Sequence, residues 1–356
     1  MRKLEILKLV IIVILIIITS KFIWGFYQRK VLLNQGKPKD ALKYKNTEVV
    51  SNFNSVKVGN KNIVYCSTFQ IAWRELKKNL GKNSVIVEKN ETVRDLNITI
   101  LEENNINSND CIALSGAVKD GIIKKIEEEK VNKFGIRKKT KLPQNRESII
   151  LYSYMQKNIL FPNKFQEMRI SFNDKNFKSF GIKKNSKNED LIHNIEIIDY
   201  KNSDDFIIKI ENSERADIIA AKIKNNGSLK RMVEETMKRY KNGRVEEFEM
   251  GDMLNIPVIK FNIKKSYDEI KGNIIIDGDK NKYIEEANQE ITFLMWQEGI
   301  KLKSESLVSM YSAIADYPEM PKRLIFDKPF LIILKEKDGV NPYFVMWVAN
   351  SELMVK

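Results

Sequence analysis

The sequence predicts an α+β fold for most of the chain, preceded by one N-terminal transmembrane helix. Residues 9–18 are an unbroken run of Leu, Val and Ile, which together with its flanks is long enough for a membrane span. Further on, apolar residues three and four apart predict amphipathic helices, and they alternate with short runs of β-branched residues that predict strands. A hydrophobic fraction of 43% supplies a core for a large domain. We therefore divide the chain into an anchor, a tether and an α+β domain, at residues 1–27, 28–55 and 56–356.

The N-terminal apolar segment extends with its flanks over residues 6–27, which is long enough to cross a bilayer at about 1.5 Å per residue. Trp24 and Tyr27 suit the membrane interface. A cleaved signal peptide is the alternative, but residues 20–22 are a poor cleavage site, and we favour an uncleaved anchor. Because a short N-terminal tail usually stays inside, we expect the following domain to be extracytoplasmic.

The net charge of +14 at pH 7 raises the question of an anionic partner. The lysines are scattered among Asn and Glu and do not form a stripe with interleaved aromatic residues. We expect a solvated surface, attracted at most to anionic membrane or wall polymer, and no binding of nucleic acid.

Two cysteines, Cys66 and Cys111, are too few for a disulfide scaffold, although they could pair in an exported protein. With a single histidine, His193, they also fall short of the ligands that a zinc or haem site requires. No Ser-His-Asp set and no phosphate-binding glycine loop stands out in the sequence. We therefore expect no metal, no cofactor and no enzymatic activity.

The first half of the domain follows the polar tether. Residues 62–67 indicate the end of a strand or the approach to a helix. Residues 68–80 predict a helix whose apolar positions are Phe69, Ala72, Trp73, Leu76 and Leu80. Residues 82–200 alternate strand-like runs with polar turns, and they include one predicted helix around 117–130 and one strand at 148–154.

The second half has clearer boundaries. Residues 205–210 and 216–223 predict two strands joined by a polar turn. Ser228 is placed to cap a helix over residues 229–240, which Gly243 ends. Its predicted buried face comprises Leu229, Met232, Val233, Thr236 and Met237. After it, residues 254–268 predict a strand that a proline enters.

Near the C-terminus, residues 324–334 and 343–350 are two runs of apolar and aromatic residues separated by a polar stretch with Gly and Asn. They predict an antiparallel hairpin that is covered on both faces. Hydrophobicity alone fits any buried hairpin that ends an α+β domain. The ordered motif is more specific, and it consists of Phe326, Asp327, Lys328, Pro329 and Phe330.

This motif resembles the C-terminal signature of the serpins. Residues 62–72, 148–165, 254–268 and 287–291 resemble serpin segments in the same order, so the resemblance covers most of residues 55–356. It implies a serpin-like α+β fold with a large central, mostly antiparallel sheet, additional sheets and surrounding helices. A protein of this kind is expected to be monomeric.

The sequence departs from the serpin pattern at two places. Only 18 residues separate Asp268 from Ala287, where the family has several tens. Residues 66–69 replace a Ser-Pro-x-Ser motif, and we expect this change to remove small polar residues from beneath the main sheet.

The resemblance also implies an exposed reactive loop whose hinge follows residues 287–291, after an apparent insertion of apolar residues at 292–295. The hinge residues would be Glu298, Gly299, Ile300, Lys301, Leu302, Lys303 and Ser304. Alternation places Ile300, Leu302 and Ser304 on one face of an inserting strand. Ile and Leu in place of the family's small residues demand extra volume, about 1–3 kcal/mol each if no space exists.

The bait segment would lie within residues 308–316, with the candidate residues Ser312, Ala313, Ile314 and Ala315. The resemblance then implies a membrane-tethered inhibitor of a serine or cysteine protease, with a preference for elastase- or subtilisin-type enzymes. The alternative is a serpin-fold binding or structural module that has lost inhibition, which the larger hinge residues favour.

Overall fold

The computed structural model divides the chain into two units, Met1–Lys37 and Pro38–Lys356. The predicted anchor lies outside the described residues. Within the ranges that the structure describes, no helix is long and apolar enough to cross a membrane. The structure describes residues 36–80, 85–86, 90–98, 108–137, 139, 142–143, 145–156, 158–183, 189–212, 216–272, 274–277, 280–301, 321–337 and 339–356.

Four α-helices and twenty-one strands are present in these ranges. In chain order, the helices are α1 (Thr68–Asn79), α2 (Glu91–Ile98), α3 (Ile122–Phe134) and α4 (Leu229–Asn242). The strands of the first half are β1 (Lys39–Asp40), β2 (Thr47–Val50), β3 (Asn62–Cys66), β4 (Val85–Ile86), β5 (Cys111–Ala117), β6 (Ser148–Met155), β7 (Asn158–Leu160), β8 (Gln166–Phe172), β9 (Lys175–Ile182) and β10 (Ile195–Asn202). Those of the second half are β11 (Asp205–Ile210), β12 (Ala216–Lys222), β13 (Glu246–Glu247), β14 (Met253–Pro257), β15 (Ile259–Ser266), β16 (Ile274–Asp277), β17 (Lys280–Trp296), β18 (Gly299–Lys301), β19 (Arg323–Ile325), β20 (Phe330–Glu336) and β21 (Phe344–Val348).

The strands form three sheets. The main sheet has nine strands, five of them in the order β1-β15-β17-β16-β4. Along its other edge, β17 pairs with β6 and with β18; β6 pairs in turn with β5, and β18 pairs with β7. Most of its pairings are antiparallel, as expected, but β6 and β17 are parallel, as are β1 and β15. The eight-stranded sheet has the order β13-β10-β11-β12-β20-β21-β3-β2, and the four-stranded sheet has the order β19-β14-β9-β8.

The core lies in layers around these sheets. Phe69, Trp73 and Leu76 of α1 pack beneath the main sheet, which confirms the helical face predicted from the sequence. α4 covers one face of the eight-stranded sheet, with Leu229, Met232, Val233 and Thr236 buried. The main and eight-stranded sheets meet where Phe293 of β17 stacks on Phe344 of β21, with ring centroids 4.8 Å apart.

The ends of α4 also follow the sequence prediction. The Ser228 hydroxyl accepts a hydrogen bond from the Arg231 N–H at 3.5 Å, and the Gly243 N–H donates to the Arg239 carbonyl at 2.7 Å. A cap of this kind satisfies one of the N–H groups that the first turn leaves unpaired.

Several element boundaries differ from the prediction. The helix predicted around 117–130 begins only at Ile122, because residues 111–117 form β5 and Gly121 turns the chain with a φ of +81°. Pro257 ends β14 instead of entering a strand, and the chain then passes from the four-stranded sheet into β15 of the main sheet. The segment predicted as a tether contributes β1 and β2, which pair with β15 and β3.

The apolar residues at 292–295, which were predicted as an insertion relative to the serpin pattern, belong to a strand. They continue β17, which runs unbroken to Trp296 and pairs with β15 up to Met295. The apolar character of this stretch follows from burial on both faces, since residues 293–296 are all at most 3% exposed.

Candidate functional site

The signature residues form the corner between two sheets. β19 ends at Ile325 in the four-stranded sheet, and β20 begins at Phe330 in the eight-stranded sheet. Phe326 and Phe330 are fully buried, with ring centroids 5.0 Å apart. Pro329 immediately precedes β20, where its missing N–H leaves the strand ladder intact. β20 then pairs antiparallel with β21, which confirms the predicted buried hairpin.

The charged residues of the signature are tied to the turn between β10 and β11 through Lys222, which ends β12. The Lys222 ammonium donates to Asp327 at 2.6 Å and to two backbone carbonyls at 2.9 Å. Asp204 lies 2.9 Å from Lys222 and 2.7 Å from Lys328, and these hydrogen bonds, the one from Lys328 foremost, lower the pKa of Asp204. Two carboxylates and two carbonyl oxygens thus offset the desolvation of a buried ammonium.

The turn that follows β17 is anchored to the segment between β7 and β8. The carbonyl of Gln297 accepts from the Phe165 N–H at 2.9 Å, and that of Glu298 accepts from the Phe161 N–H at 3.1 Å. The Glu298 carboxylate lies 3.6 Å from the Lys164 ammonium. The chain therefore leaves β17 in a direction that these contacts fix.

Gly299 is the residue at which the chain reverses. Its φ is +152°, and a Cβ at this position would lie 2.2 Å from the carbonyl oxygen of Ile159 and 2.9 Å from the Cα of Leu160. Both the backbone conformation and the close approach to β7 therefore require glycine.

The next two residues continue as β18 between two strands. Ile300 is fully buried, and its partners are Met295 of β17 and Ile159 of β7. Lys301 pairs with Leu294 on one side and with Asn158 on the other. Three residues of the predicted hinge thus already form a strand of the main sheet.

Beyond the end of β18, β17 pairs with β6 instead. β17 and β6 are direct parallel partners from Tyr283 and Ser148 at one end to Ile291 and Met155 at the other. We call this pairing the seam, and we call the end at Ile291 and Met155 its upper end. β18 runs antiparallel to β17, so the chain that leaves β18 at Lys301 is directed towards the upper end of the seam.

No family model and no curated protein matches the sequence. Solved structures do match. Manduca sexta serine protease inhibitor (serpin)-12 has a TM-score of 0.51 at 12% identity, over 83% of this chain and 94% of its own. A thyroxine-binding globulin complex with thyroxine has 0.50 at 10%, over 82% and 94%, and human glycosylated kallistatin has 0.50 at 10%, over 82% and 92%. The chain has the serpin fold.

Within the serpin fold, the predicted site residues fall into two places. Glu298, Gly299, Ile300 and Lys301 come together at the upper end of the seam, whereas the signature residues lie at the corner between the other two sheets. The remaining predicted residues lie outside the described part of the chain, namely Leu302, Lys303, Ser304, Ser312, Ala313, Ile314 and Ala315.

The region beneath the seam contradicts the expectation that small polar residues are missing from beneath the main sheet. Small polar groups are present there: Gln289 of β17 donates to the Thr68 hydroxyl at 2.9 Å and to the Cys66 carbonyl at 3.0 Å. Its amide oxygen accepts from the Tyr267 hydroxyl at 2.7 Å, and burial raises the pKa of Tyr267. Thr68 therefore supplies a hydroxyl beneath the main sheet of this serpin fold although the Ser-Pro-x-Ser motif is absent.

Both cysteines are buried free thiols, so the open question of their pairing is answered. The sulfur of Cys66 lies 3.2 Å from that of Met155, at the upper end of the seam. Burial raises the pKa of Cys66 to about 11, which keeps the thiol protonated and unreactive. Among the described residues, no group of side chains could hold a metal ion.

Sequence reasoning missed Lys222, Asp204 and Gln289. Lys222 does carry a signal, because it lies between the apolar residues Ala221 and Ile223 in the strand predicted at 216–223. A charge at such a position indicates a buried partner. Gln289 carries no comparable signal, since its partners are distant in sequence.

Proposed function

We propose that this chain inhibits serine or cysteine proteases by presenting a cleavable loop that inserts into its main sheet. The loop would comprise the residues after β18, with the bait at residues 312–315. The observation that carries this proposal is the position of β18 between β17 and β7, at the upper end of the seam. Insertion would extend a strand that already exists.

The register of β18 defines how insertion would proceed. Because Ile300 pairs with Met295 and Lys301 with Leu294, the same register would bring Leu302 opposite Phe293 and Ser304 opposite Ile291 in the inserted state. Going back along β17 from Trp296, Ile291 is the first residue that pairs directly with β6. Ser304 would therefore be the first inserted residue that must displace β6.

Strand pairing favours the inserted state. An inserted strand would run antiparallel to both β17 and β6, so two antiparallel ladders would replace one parallel ladder. Ile300 adds no further packing cost, because its side chain is already fully buried. Lys303 would lie on the opposite face of the inserted strand, beside the part-buried Thr292.

The protease would supply the chemistry. Its nucleophile attacks the carbonyl carbon of the scissile peptide, the C–N bond breaks, and the amine leaves with a proton while the acyl-enzyme forms. Insertion of the freed hinge would then carry the acyl-enzyme along the main sheet before water can hydrolyse the ester or thioester. Inhibition therefore depends on insertion being faster than deacylation.

Incubation of the full-length chain in detergent micelles with a subtilisin- or elastase-type protease tests this function. We expect an SDS-resistant covalent complex, and mass spectrometry should locate the new C-terminus within residues 308–316. Cleavage at this segment with full recovery of protease activity and no complex would contradict inhibition.

Tethering to a membrane is part of the proposal and is supported by the sequence of residues 1–27 alone. The main domain would then act outside the cytoplasm, on proteases that reach the cell envelope. Extraction of membranes with alkaline carbonate tests this point: the full-length chain should stay in the pellet, and a chain that begins at Pro38 should not. Release of the full-length chain would contradict the anchor.

A binding module without inhibitory activity is the second candidate, and a specific contact favours it. Inserted Leu302 would have to pack against Phe293. This ring is already stacked between Phe261 and Phe344, at centroid distances of 5.3 and 4.8 Å. If no space opens there, Leu302 costs about 1–3 kcal/mol and slows insertion. Such a chain would be cut by proteases as an ordinary substrate.

A further inference from the structure

The turn between β1 and β2 presents an apolar side chain to solvent. Leu42 is 84% exposed, more than any other large apolar residue in the described part of the chain. It lies at the centre of a single 3-10 turn, Ala41–Lys43. A leucine exposed by itself is common on protein surfaces, so its neighbours decide whether it has a function.

Three lysines accompany Leu42. Lys39, Lys43 and Lys45 lie within three residues of it, and all three are exposed. Their ammonium groups have no ion-pair partner among the described residues. The Asp40 carboxylate accepts the Leu42 N–H at 2.9 Å and caps the turn, so it is engaged within the segment. Residues 39–45 therefore carry three positive charges and one negative charge around an exposed apolar group.

The fold fixes this segment at both ends. β1 pairs with β15, and β2 pairs with β3. Between them, the Glu352 carboxylate accepts the N–H groups of Lys45 and Asn46 at 2.9 and 3.0 Å. The same carboxylate accepts the Thr47 hydroxyl at 2.7 Å, so this acidic group is occupied within the protein. Leu42 and its lysines are thus exposed by a turn whose backbone is held in place.

An anionic membrane matches this combination of groups. Lipid phosphates attract lysine ammonium groups, and the acyl region beneath the headgroups accepts an apolar side chain. A soluble polyanion offers the first of these interactions but not the second. The position in the chain also agrees, because Leu42 follows residue 27, where the predicted span ends, by only 15 residues. An extended chain of this length reaches at most about 54 Å, so a tethered chain keeps the segment near the bilayer.

We propose that residues 39–45 are a docking surface for an anionic phospholipid membrane. Leu42 inserts among the headgroups, and the three lysines pair with lipid phosphates. Because β1 is an edge strand of the main sheet, docking turns this edge towards the bilayer. The proposal rests on the membrane tethering within the proposed function, and it does not depend on protease inhibition.

A fluorophore at position 42 tests this surface. Leu42→Cys in the full-length chain is labelled with a thiol-reactive, polarity-sensitive dye, while Cys66 and Cys111 are buried and should react little. The labelled chain is reconstituted into nanodiscs of phosphatidylcholine, with or without phosphatidylglycerol. We expect the emission to shift to the blue only in discs with phosphatidylglycerol, and added salt should reverse the shift by screening the charges. The same dye at Asn242→Cys, at the exposed end of α4, should not respond.

The three lysines of the segment supply the matched test. Their replacement by glutamine should lower the ratio of docked to undocked chain by about fivefold for each charge, or on the order of a hundredfold together. The control replaces the same number of exposed lysines on α4 by glutamine, namely Lys230, Lys238 and Lys241. It should leave the response unchanged, because both variants have the same net charge and differ only in where the charges were removed.

Three outcomes would each overturn the proposal: an unshifted emission in discs with phosphatidylglycerol, an equal loss in the α4 control, or an equal response to soluble dextran sulfate in neutral discs. Failure of the anchor is distinguishable, since the chain would then be absent from discs of phosphatidylcholine alone. In that case the response in discs with phosphatidylglycerol still decides whether the docking surface exists.

Discussion

Ile291 of β17 and Met155 of β6 are direct partners at the upper end of the seam, yet three residues further along β17, Leu294 pairs with Lys301 of β18 instead. The same edge of β17 therefore changes partner within three residues. Because one edge of a strand can pair with only one neighbour, β18 can lengthen beyond Lys303 only as β6 detaches. This competition between two partners is the structural basis of the proposed function.

Replacement of Gly299 by alanine should release β18. The added Cβ would lie 2.2 Å from the Ile159 carbonyl oxygen, and the φ of +152° is unfavourable for alanine. We expect the free energy of unfolding to fall by about 1–3 kcal/mol. We also expect amide hydrogen exchange at residues 300–301 to accelerate.

Gly59→Ala is the matched control, because nothing lies within 4 Å of a Cβ at Gly59 and its φ is not positive. Its exchange and stability should stay within about 0.5 kcal/mol of the wild type. Unchanged exchange at β18 in Gly299→Ala would contradict the close packing of β18 on β7.

Lys222→Met should destabilise the corner that holds the signature. It would leave Asp327 and Asp204 without a shared cation and two carbonyl oxygens without a donor. Breaking a buried pair typically costs about 3–5 kcal/mol. Because Asp327 and Asp204 are 42% and 51% exposed, solvent screens part of the loss, and we expect about 2–3 kcal/mol by urea denaturation.

The neighbouring Lys224→Met serves as the control for this variant, since Lys224 is exposed. It should change stability by less than about 0.5 kcal/mol. Equal losses for both variants would mean that the network of Lys222 contributes nothing specific.

Gln289→Leu should weaken the support beneath the seam. It removes the partner of the Tyr267 hydroxyl, the Thr68 hydroxyl and the Cys66 carbonyl, all of them buried. An unsatisfied buried polar group costs about 1–3 kcal/mol, so the loss in unfolding free energy should exceed that of a single hydrogen bond. Hydrogen exchange along residues 283–291 should accelerate.

Thr292→Val tests the opposite face of the same strand. The Thr292 hydroxyl makes one part-buried hydrogen bond, to Asn262 at 3.0 Å, so its loss should cost only about 0.5–1.5 kcal/mol. A loss as large as that of Gln289→Leu would show that the polar cluster beneath the seam has no special role.

The sequence indicated the hairpin of β20 and β21, the helices α1 and α4, and the residues of the signature. These elements have strong local signals: apolar periodicity, a Ser cap, a terminal Gly and an ordered motif. It misread Pro257, because a proline at the start of a strand and one at its end look alike along the chain. Nothing in the sequence shows that residues 292–295 continue β17, which is 17 residues long.

The position of β18 could not be derived from the sequence. Gly299 indicated a hinge, but the constraint on it comes from Ile159, which is 140 residues away. Lys222 and Gln289 are likewise fixed by partners more than 100 residues distant, such as Asp327 and Thr68. Contacts of this length follow from sheet order, which short sequence patterns do not encode.

Leu302→Ala should make the cleaved hinge insert into the main sheet faster. In the register of β18 this side chain would enter beside Phe293, and a methyl group needs less space there. We expect fewer inhibitor molecules to be consumed for each protease molecule trapped. Lys303→Ala alters the opposite face of the same strand and should change this ratio little, so a similar effect of both variants would contradict the register.

The most direct test of the central claim is the melting temperature of the full-length chain before and after a single cleavage between Gly299 and Pro321, with the nick located by mass spectrometry. If the hinge inserts into the seam, the cleaved protein should melt at a much higher temperature than the intact one. A cleaved protein that melts at the same temperature would contradict insertion and leave the chain as a binding module with the serpin fold.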